Sequence, residues 1–385
     1  MKKKYGILTL LLSQLLLPAC VEEFEANVGQ AEEDCLVVEG NIVSDSTVVF
    51  YLSRTVPIVK NEENEGRFDS YKEVTATVAV TGSDGQRWEG RSLGEGAYSV
   101  EVGTLDPEEE YCLVVKYNDE FYTSTPQRPL APTGIERLSF KQAPSGGDVT
   151  IHVTVEERRS DEVEYYQWIY EEDWEVRSEY PSDVLYEYAQ KRVVNYDKPP
   201  YAQGWCYVLN GKIQVGTSNV YEGQHVVDKL LQTIPSTDDR ISHLYCFRVT
   251  QRNLSREEYE YLQLRAKLDS EMGGLFTPQP SELPTNITCR DAGRKVIGYV
   301  GCNMGVAHAR LFIDTKEVIY QKEVNCALAT HLIGSPYDNY MAGYNIAYEA
   351  AGVYYWARKE CVDVRSMDAD PNGRPEWWPN PYLYK

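Results

Sequence analysis

The sequence predicts a mainly β protein with two β-sandwich-like domains of the immunoglobulin or fibronectin kind, and three observations lead to this fold class. Short runs of alternating apolar and polar residues recur along the chain, separated by Gly, Asp and Asn turns. A proline-rich segment divides these runs into two groups, and the second group contains one well-capped helix. Short strands with a turn roughly every 8–12 residues are typical of β-sandwiches.

The first 19 residues have the pattern of a signal peptide. Three lysines at positions 2–4 precede an apolar run from Ile7 to Leu17, which is too short to cross a bilayer that needs about 20 residues. Residues 17–20, Leu-Pro-Ala-Cys, resemble a bacterial lipobox, which implies cleavage before Cys20 and lipidation of its sulfur. The alternative is a soluble secreted protein in which Cys20 lies near an ordinary cleavage site.

Residues 20–34 are predicted to form a lipidated acidic tether. The sequence VEEFE at 21–25 is similar to the surface-export signal of Bacteroidota outer-membrane lipoproteins, which implies display on the cell exterior. The alternative is a solvated spacer that keeps the folded part away from the membrane.

The charge of the chain excludes some partners. The formal net charge is −21, and removal of residues 1–19, which contain three lysines and no acid, lowers it to −24. Such a chain repels nucleic acid and anionic membrane surfaces, so neither is expected to bind the polypeptide itself. The remaining length exceeds what one core usually accommodates, which favours two domains.

The first domain is predicted to span residues 35–128. Its turns include GSDG at 82–85 and the two-residue hairpin candidate Asn118-Asp119. The predicted strands lie at 36–43, 48–53, 74–80, 97–102, 111–117 and 121–124.

The second domain is predicted to span residues 129–385 and to follow a connector at 126–132 that contains three prolines. Strands are predicted at 135–140, 149–155, 164–170, 295–300 and 309–313. Residues 171–204 are acidic, aromatic and without regular periodicity, which predicts a long irregular insertion. Ser255 and Glu258 have the spacing of a capping box, and they predict a helix over 255–271 that packs on a sheet.

Eight cysteines remain after Cys20, and an even number beyond the inner membrane favours disulfides. Cys35 and Cys112 are alone in the first domain, so they are predicted to pair. The sequence leaves the connectivity of the others open: Cys206, Cys246, Cys289, Cys302, Cys326 and Cys361.

No catalytic motif is evident, so we expect a protein that is not an enzyme and needs no metal or cofactor. The five histidines are scattered, and neither a nucleophile elbow nor a phosphate-binding loop is present. Residues 368–373, DADPNG, fit the first half of an EF-hand loop, but position 12 is Pro379 instead of glutamate. An Asp- and Asn-rich turn is the preferred interpretation.

Aromatic residues provide the candidate contact surface, because Tyr and Trp combine an apolar body with a polar tip. They are concentrated in 165–205 and at the C-terminus. The alternative is that alternating aromatics fill a sandwich core. The candidates for ligand or partner contact are Trp174, Tyr180, Tyr186, Tyr188, Trp377 and Trp378.

Three stretches together resemble a known family. They are LVVEG with YLSRTVP (36–40 and 51–57), residues 253–287 with KVIGYVG (295–301), and ECVDVRSMDADPNGRPEWW (360–378). Their order is similar to that of Bacteroidota outer-membrane lipoproteins with the domain of unknown function 4249. This resemblance implies a location at the outer membrane and a TonB-dependent transporter as partner. The family often ends in C-x-x-C, but Val364 replaces the second cysteine, so Cys361 must find another partner or stay free.

These observations leave three hypotheses for function. The first is an outer-membrane lipoprotein, facing the exterior, that assists a TonB-dependent receptor by capturing an unknown small-molecule, peptide or glycan ligand. The second is a surface adhesin or structural lipoprotein without a role in transport. The third and least supported is a lipid-anchored hydrolase.

Overall fold

The computed structural model describes residues 35–55, 74–158, 162–270, 283–290, 294–329, 332 and 334–379. Cys20 and the acidic tether lie outside the described residues, so lipidation stays a prediction. The elements in chain order are β1 (Leu36–Val43), β2 (Ser46–Arg54), β3 (Thr77–Gly82), β4 (Arg87–Gly94), β5 (Ala97–Val102), β6 (Tyr111–Tyr117), β7 (Glu120–Ser124), β8 (Ile135–Lys141), β9 (Val149–Val155), β10 (Tyr165–Arg177), β11 (Val184–Glu187), β12 (Arg192–Asn195), β13 (Gln203–Leu209), β14 (Gln214–Thr217), β15 (Lys229–Ile234), β16 (Leu244–Leu254), α1 (Arg256–Ser270), β17 (Ile287–Cys289), β18 (Val296–Asn303), β19 (Ala307–Asp314), α2 (Pro336–Met341), β20 (Tyr344–Ala350) and β21 (Val353–Arg358).

The first sandwich is formed by one folded sheet whose strand order is β17-β7-β6-β3-β4-β5-β2-β1-β18. The sheet folds at β4, which pairs with β3 through its first half and with β5 through its second half. Buried side chains that alternate along the strands, such as Val38, Phe50 and Leu113, fill the space between the two halves. Asn118 and Asp119 both have positive φ, as a type I′ turn requires, which confirms the predicted hairpin.

Two strands of the first sandwich come from the part of the sequence that was assigned to the second domain. β18 pairs in parallel with β1 along eight residues, and β17 extends the other edge by pairing with β7. The predicted division at residue 128 is therefore corrected by the sheet topology. Two parallel strands must be joined by a long crossover connection. Between β1 and β18 the chain passes through most strands of the second sandwich, which therefore belong to this crossover.

The second sandwich packs a sheet of order β13-β10-β16-β19 against a three-stranded sheet of order β15-β9-β8, and β14 also pairs with β10. Trp168, Tyr170, Tyr245 and Phe247 fill the core between the two sheets. The mainly β, sandwich-like fold class predicted from the sequence is confirmed. Aromatics that alternate with polar residues on β10 account for part of the aromatic excess in the sequence.

The predicted helix is present as α1, and it packs on both sandwiches. Its Tyr261 and Leu262 belong to a buried cluster with Leu254 of β16, and the Tyr261 ring contacts Tyr299 of β18. Ser255 caps it, since its Oγ accepts the backbone N–H of Glu258 at 3.1 Å. The carboxylate of Glu258 does not complete the capping box. It lies 2.6 Å from Nη1 of Arg252, and both side chains are almost fully buried.

Buried polar groups join the two sandwiches at a place that we call the junction, where β18, the end of β16 and residues 130–133 meet. The Asn253 amide accepts the Thr133 backbone N–H at 2.8 Å and donates to the Thr133 hydroxyl at 2.8 Å. The buried Asn303 amide donates to the Asn253 carbonyl at 2.8 Å. These bonds fix the linker against both sandwiches.

Among the residues that the structure describes, no helix is long and apolar enough to cross a membrane.

Candidate functional site

The segment 171–204 is not the irregular insertion that the sequence predicted. Glu171 to Arg177 form the second half of β10 and pair with both β13 and β16. Farther on, β11 and β12 form a short hairpin. The segment shows no regular periodicity because β10 is paired on both edges and buries acids on both of its faces, such as Glu172 on one and Glu175 on the other.

The hairpins β11–β12 and β20–β21, together with α2, form a third unit that we call the aromatic subdomain. The amide of buried Asn345 joins the two hairpins, because its Oδ1 accepts the Tyr186 N–H at 2.9 Å and its Nδ2 donates to the Tyr186 carbonyl at 3.4 Å. The helix α2 begins at Ser335, whose Oγ accepts the Asp338 N–H while the Asp338 carboxylate accepts the Ser335 N–H. Pro336 at the first helical position suits this start.

Four tyrosines of the subdomain come together where α2 lies over β11 and the residues that follow it. We call Tyr186, Tyr188, Tyr337 and Tyr340 the aromatic face. The Tyr188 and Tyr340 rings are stacked, with centroids 5.8 Å apart and an interplanar angle of 17°. Tyr186 lies 5.3 Å from Tyr340 and 6.5 Å from Tyr337 between ring centroids.

The outer members of the aromatic face are open to solvent. Tyr188 is 50% exposed and Tyr337 is 43% exposed, and the neighbouring Met341 is 57% exposed. Tyr186 is buried and forms the floor. Such rings supply a large contact area at low cost in conformational entropy.

A cation lies against this face. Nζ of Lys359 is 3.4 Å from the Tyr340 ring centroid, within the distance of a cation–π contact. Burial lowers the pKa of Lys359, and the charges of Glu360 and Asp363 oppose that effect. Burial also raises the pKa of Tyr340, so its hydroxyl stays protonated at neutral pH.

A charged network holds the base of the aromatic face in place. Nη2 of Arg365 lies 2.6 Å from Asp363 and 3.1 Å from Glu187, and its guanidinium stacks 3.3 Å from the Tyr201 ring centroid. Burial opposes the charge on Arg365, but the hydrogen bonds that its guanidinium donates to Asp363 and the charges of the Asp363 and Glu187 carboxylates outweigh burial and raise the pKa of Arg365. The Tyr196 hydroxyl donates to Glu187 at 2.7 Å. Glu187 connects this network to the strand that carries Tyr186.

A disulfide staples the subdomain. Cys326 and Cys361 are bonded, with Cα atoms 5.7 Å apart. Cys326 is therefore the partner of Cys361, which has Val364 in place of the family's second cysteine. Tyr180 is tied to both ends, because its hydroxyl donates to the Cys326 carbonyl at 2.8 Å and its N–H donates to the Cys361 carbonyl at 2.9 Å. The proton of the Tyr180 hydroxyl is therefore committed to the staple.

The remaining predicted contact residues lie elsewhere. Trp174 is partly buried and packs against both the core of the second sandwich and a smaller cluster around Val176. Trp377 and Trp378 pack on Phe312, on the face of the second sandwich that is opposite to its core. The guanidinium carbons of Arg248 and Arg310 lie 4.9 and 4.2 Å from the centroid of the Trp377 ring. Of the six residues predicted from sequence, only Tyr186 and Tyr188 belong to the aromatic face, while Trp377 and Trp378 contact each other on the second sandwich.

The sequence analysis missed Tyr337, Tyr340 and Lys359. The first two lie on α2, a helix of six residues. The motif Ser335-Pro336-Tyr337-Asp338 carries both the cap and a proline at the first helical position, and these signals could have located it. Lys359 has no local signal, because only the hairpin β20–β21 brings it to Tyr340.

The predicted disulfide between Cys35 and Cys112 is wrong, because Cys112 is a thiol whose Sγ lies 3.2 Å from Thr81 Oγ1. Cys112 lies on β6, the third strand from one edge of the first sheet, whereas Cys35 directly precedes β1, the second strand from the other edge. Two cysteines that share a domain need not share a neighbourhood.

Residues 368–373 form a turn in the structure. Asp368 has a left-handed φ of 56°, and Oδ1 of Asp370 accepts the Asn372 N–H at 2.8 Å. Within the described ranges, no group of three or more His, Cys, Asp or Glu side chains is arranged to hold a metal ion.

The sheets, the staple and the aromatic face define a mainly β protein of the sandwich class with an appended aromatic subdomain. The chain belongs to the family described as "Domain of unknown function (DUF4249)", whose model matches residues 21–304. The match ends before α2, β20 and β21, so three of the five elements of the aromatic subdomain lie beyond it. A two-domain fibronectin type-III segment from chicken tenascin is also similar, at 13% identity, over 58% of this chain and 95% of that one, with a TM-score of 0.16. No curated protein matches the chain.

Proposed function

We propose that this protein is a lipid-anchored lipoprotein of the outer membrane, displayed on the cell exterior, which acts without catalysis as an accessory to a TonB-dependent transporter. The lipobox ending at Cys20 and the acidic residues after it support the anchor and the display. The Cys326–Cys361 disulfide supports export, since such bonds persist in oxidising compartments. The resemblance to lipoproteins encoded beside such transporters supports the choice of partner.

The aromatic face is the proposed contact surface, and its exposure is the observation that carries this proposal. Tyr188, Tyr337 and Met341 form an exposed apolar patch on a unit that a disulfide and a charged network hold rigid. Aromatic and Met side chains are enriched in protein interfaces, and rigid rings lose little freedom on binding. The anchor and the aromatic face then have separate tasks, since one holds the protein at the membrane and the other binds the partner.

The anchor is tested by mass spectrometry of the native protein and by membrane fractionation. We expect a lipidated Cys20 as the first residue, and a Cys20→Ser variant that leaves the membrane fraction. An unmodified N-terminus would contradict the anchor.

The contact surface is tested by co-purification from detergent extracts of the outer membrane. We expect a large β-barrel protein to accompany the wild type and to be lost from a Tyr188→Ala/Tyr337→Ala variant. The matched control is Tyr51→Ala in the first sandwich, because Tyr51 is 54% exposed and similar in size. Recovery of the barrel with the double variant would exclude the aromatic face, and recovery of no barrel with wild type would favour an adhesin or structural role.

A further inference from the structure

The tether and the aromatic face lie at opposite ends of the fold. The tether precedes Leu36, the first residue of β1, and β1 runs from there to Val43 at the junction. The direction is fixed because β1 is parallel to β18, whose last residue Asn303 bonds to Asn253 at the junction. The first sandwich therefore separates the tether from the junction by the length of an eight-residue strand, about 26 Å.

The second sandwich adds its own length beyond the junction. β10 begins at Tyr165, which pairs with Leu254 at the junction end of β16, and it runs for 13 residues to Arg177. A strand of this length extends over about 43 Å. The chain then reaches Tyr180, whose N–H donates to the Cys361 carbonyl of the aromatic subdomain. The subdomain is thus attached at the end of β10 that is far from the junction.

The helix α1 keeps the two sandwiches from folding onto each other. Its Tyr259 ring lies 4.9 Å from the ring of Tyr165 on β10. Farther along the helix, Arg265 forms an ion pair with Glu39 in the middle of β1. An α-helix with its side chains is about 10 Å across, so the sandwiches diverge from the junction with α1 between them. The aromatic subdomain therefore cannot close on the first sandwich while α1 is in place.

The charge of the chain disfavours a body that lies flat on the membrane. The formal net charge of −21 falls to −24 when the three lysines of residues 1–19 are removed. An anionic membrane surface repels such a body. This repulsion and the length of the two sandwiches act in the same direction, because both keep the end that carries the aromatic face away from lipid.

We propose that the protein is an arm that holds the aromatic face clear of the bilayer, and that this face meets the transporter on its extracellular loops. The inference rests on the proposed function, from which it takes the anchor and the partner, and it names the part of the partner that is recognised. An outer-membrane barrel has long extracellular loops above the bilayer, whereas the outer wall of its strands is surrounded by lipid. Since two sandwiches lie between the anchor and the aromatic face, the loops are the part of the barrel that this face can reach.

The distance from the bilayer is tested by fluorescence quenching, which needs no partner. The lipidated chain is placed in vesicles of phosphatidylethanolamine and phosphatidylglycerol that contain a lipid with a quenching headgroup, and a dye is coupled to the variant Tyr188→p-azidophenylalanine. The matched control is Phe24→p-azidophenylalanine, because residue 24 is within about 14 Å of chain from the lipidated Cys20. We expect strong quenching at residue 24 and none at residue 188. Equal quenching at both would overturn the arm and leave the anchor intact, whereas quenching at neither would contradict the anchor and with it both proposals.

The contacted part of the transporter is identified by photocrosslinking. The Tyr188→p-azidophenylalanine variant without dye is irradiated in native outer membranes, and mass spectrometry locates the crosslinked peptides of the barrel. We expect these peptides to come from extracellular loops, and to be absent with Tyr51→p-azidophenylalanine, whose site is 54% exposed in the first sandwich. Crosslinks from residue 188 to lipid-facing strand residues would overturn the proposal. Absence of any barrel peptide would contradict the partner in the proposed function, and the quenching result would show separately whether the arm stands.

Discussion

The junction and the aromatic subdomain are held together by opposite means. At the junction, buried polar side chains that are far apart in sequence bond to one another, as Asn253 does with Thr133 and Asn303. In the aromatic subdomain, a disulfide and two short hairpins hold the structure, and the large side chains point partly into solvent. The junction lies within the family match, whereas α2, β20 and β21 lie beyond it.

The two regions should therefore differ in which substitutions they tolerate. A buried polar network tolerates no loss of a partner, because each unsatisfied group keeps its full desolvation penalty. A stapled unit with exposed rings tolerates changes at its surface, since the staple and not the rings maintains the backbone. We therefore expect the junction to be sensitive to single substitutions and the aromatic face to tolerate them.

Glu258→Ala gives the largest expected loss of stability. Its removal leaves the guanidinium of Arg252 buried without its carboxylate, and such a loss costs about 3–5 kcal/mol of the free energy of unfolding. Urea unfolding followed by far-UV circular dichroism measures the change.

The neighbour Glu257 supplies the control, since Glu257→Ala removes an exposed acid from the same helical turn. The double variant Arg252→Met/Glu258→Leu replaces both charges by apolar groups and should regain most of the loss. If Glu258→Ala alone were harmless, the buried ion pair would not be what fixes α1 to the second sandwich.

Cys361→Ser gives the next largest effect. The disulfide closes a loop with a sequence separation of 35, and opening it should cost about 2–4 kcal/mol. We expect the aromatic subdomain to unfold first, which limited proteolysis detects as cleavage after residue 322 with the first sandwich intact. Cys112→Ser removes a thiol that bears no disulfide, so it should leave this cleavage pattern unchanged.

Asn345→Ala tests the joint between the two hairpins. The variant leaves the Tyr186 N–H without its buried acceptor, and a loss of about 1–3 kcal/mol follows. Hydrogen exchange measured by mass spectrometry should be faster in β11 and unchanged in β1. Exchange in β11 equal to that of the wild type would mean that the amide is not what connects the hairpins.

Asp338 gives the smallest effect, and it depends on pH. Hydrogen bonds from the Ser335 hydroxyl and N–H lower the pKa of Asp338, so its contribution is present above the ordinary carboxyl pKa of about 3.9 and is lost as pH falls through the lowered value. The stability of Asp338→Asn should therefore lie below that of the wild type at neutral pH and converge with it in acid.

Thermal melting between about pH 6 and about pH 2 measures this convergence. Asp197→Asn is the control, since Asp197 is exposed and has no side-chain partner in the described residues. Parallel curves for Asp338→Asn and wild type would remove Asp338 from the cap of α2.

Several elements could be predicted because their causes are local. The type I′ hairpin at Asn118-Asp119, the strand at Val149–Val155 and the cap of α1 at Ser255 depend on residues a few positions apart. The aromatic face could be predicted only in part. Tyr186 and Tyr188 stood out by composition, but their partners Tyr337 and Tyr340 lie about 150 residues away along the chain.

Residues close together along the chain are enough to specify the alternation of the strands, the turns between them, the capped start of the long helix and the charge of the chain. The completion of the first sandwich by β17 and β18, the pairing of Glu258 with Arg252 and the bond between Cys326 and Cys361 follow only from the folded arrangement. Strand pairing, burial of charge and disulfide formation depend on which distant segments meet in space. Local periodicity determines whether a segment forms a strand or a helix, and tertiary packing determines which other segments it contacts.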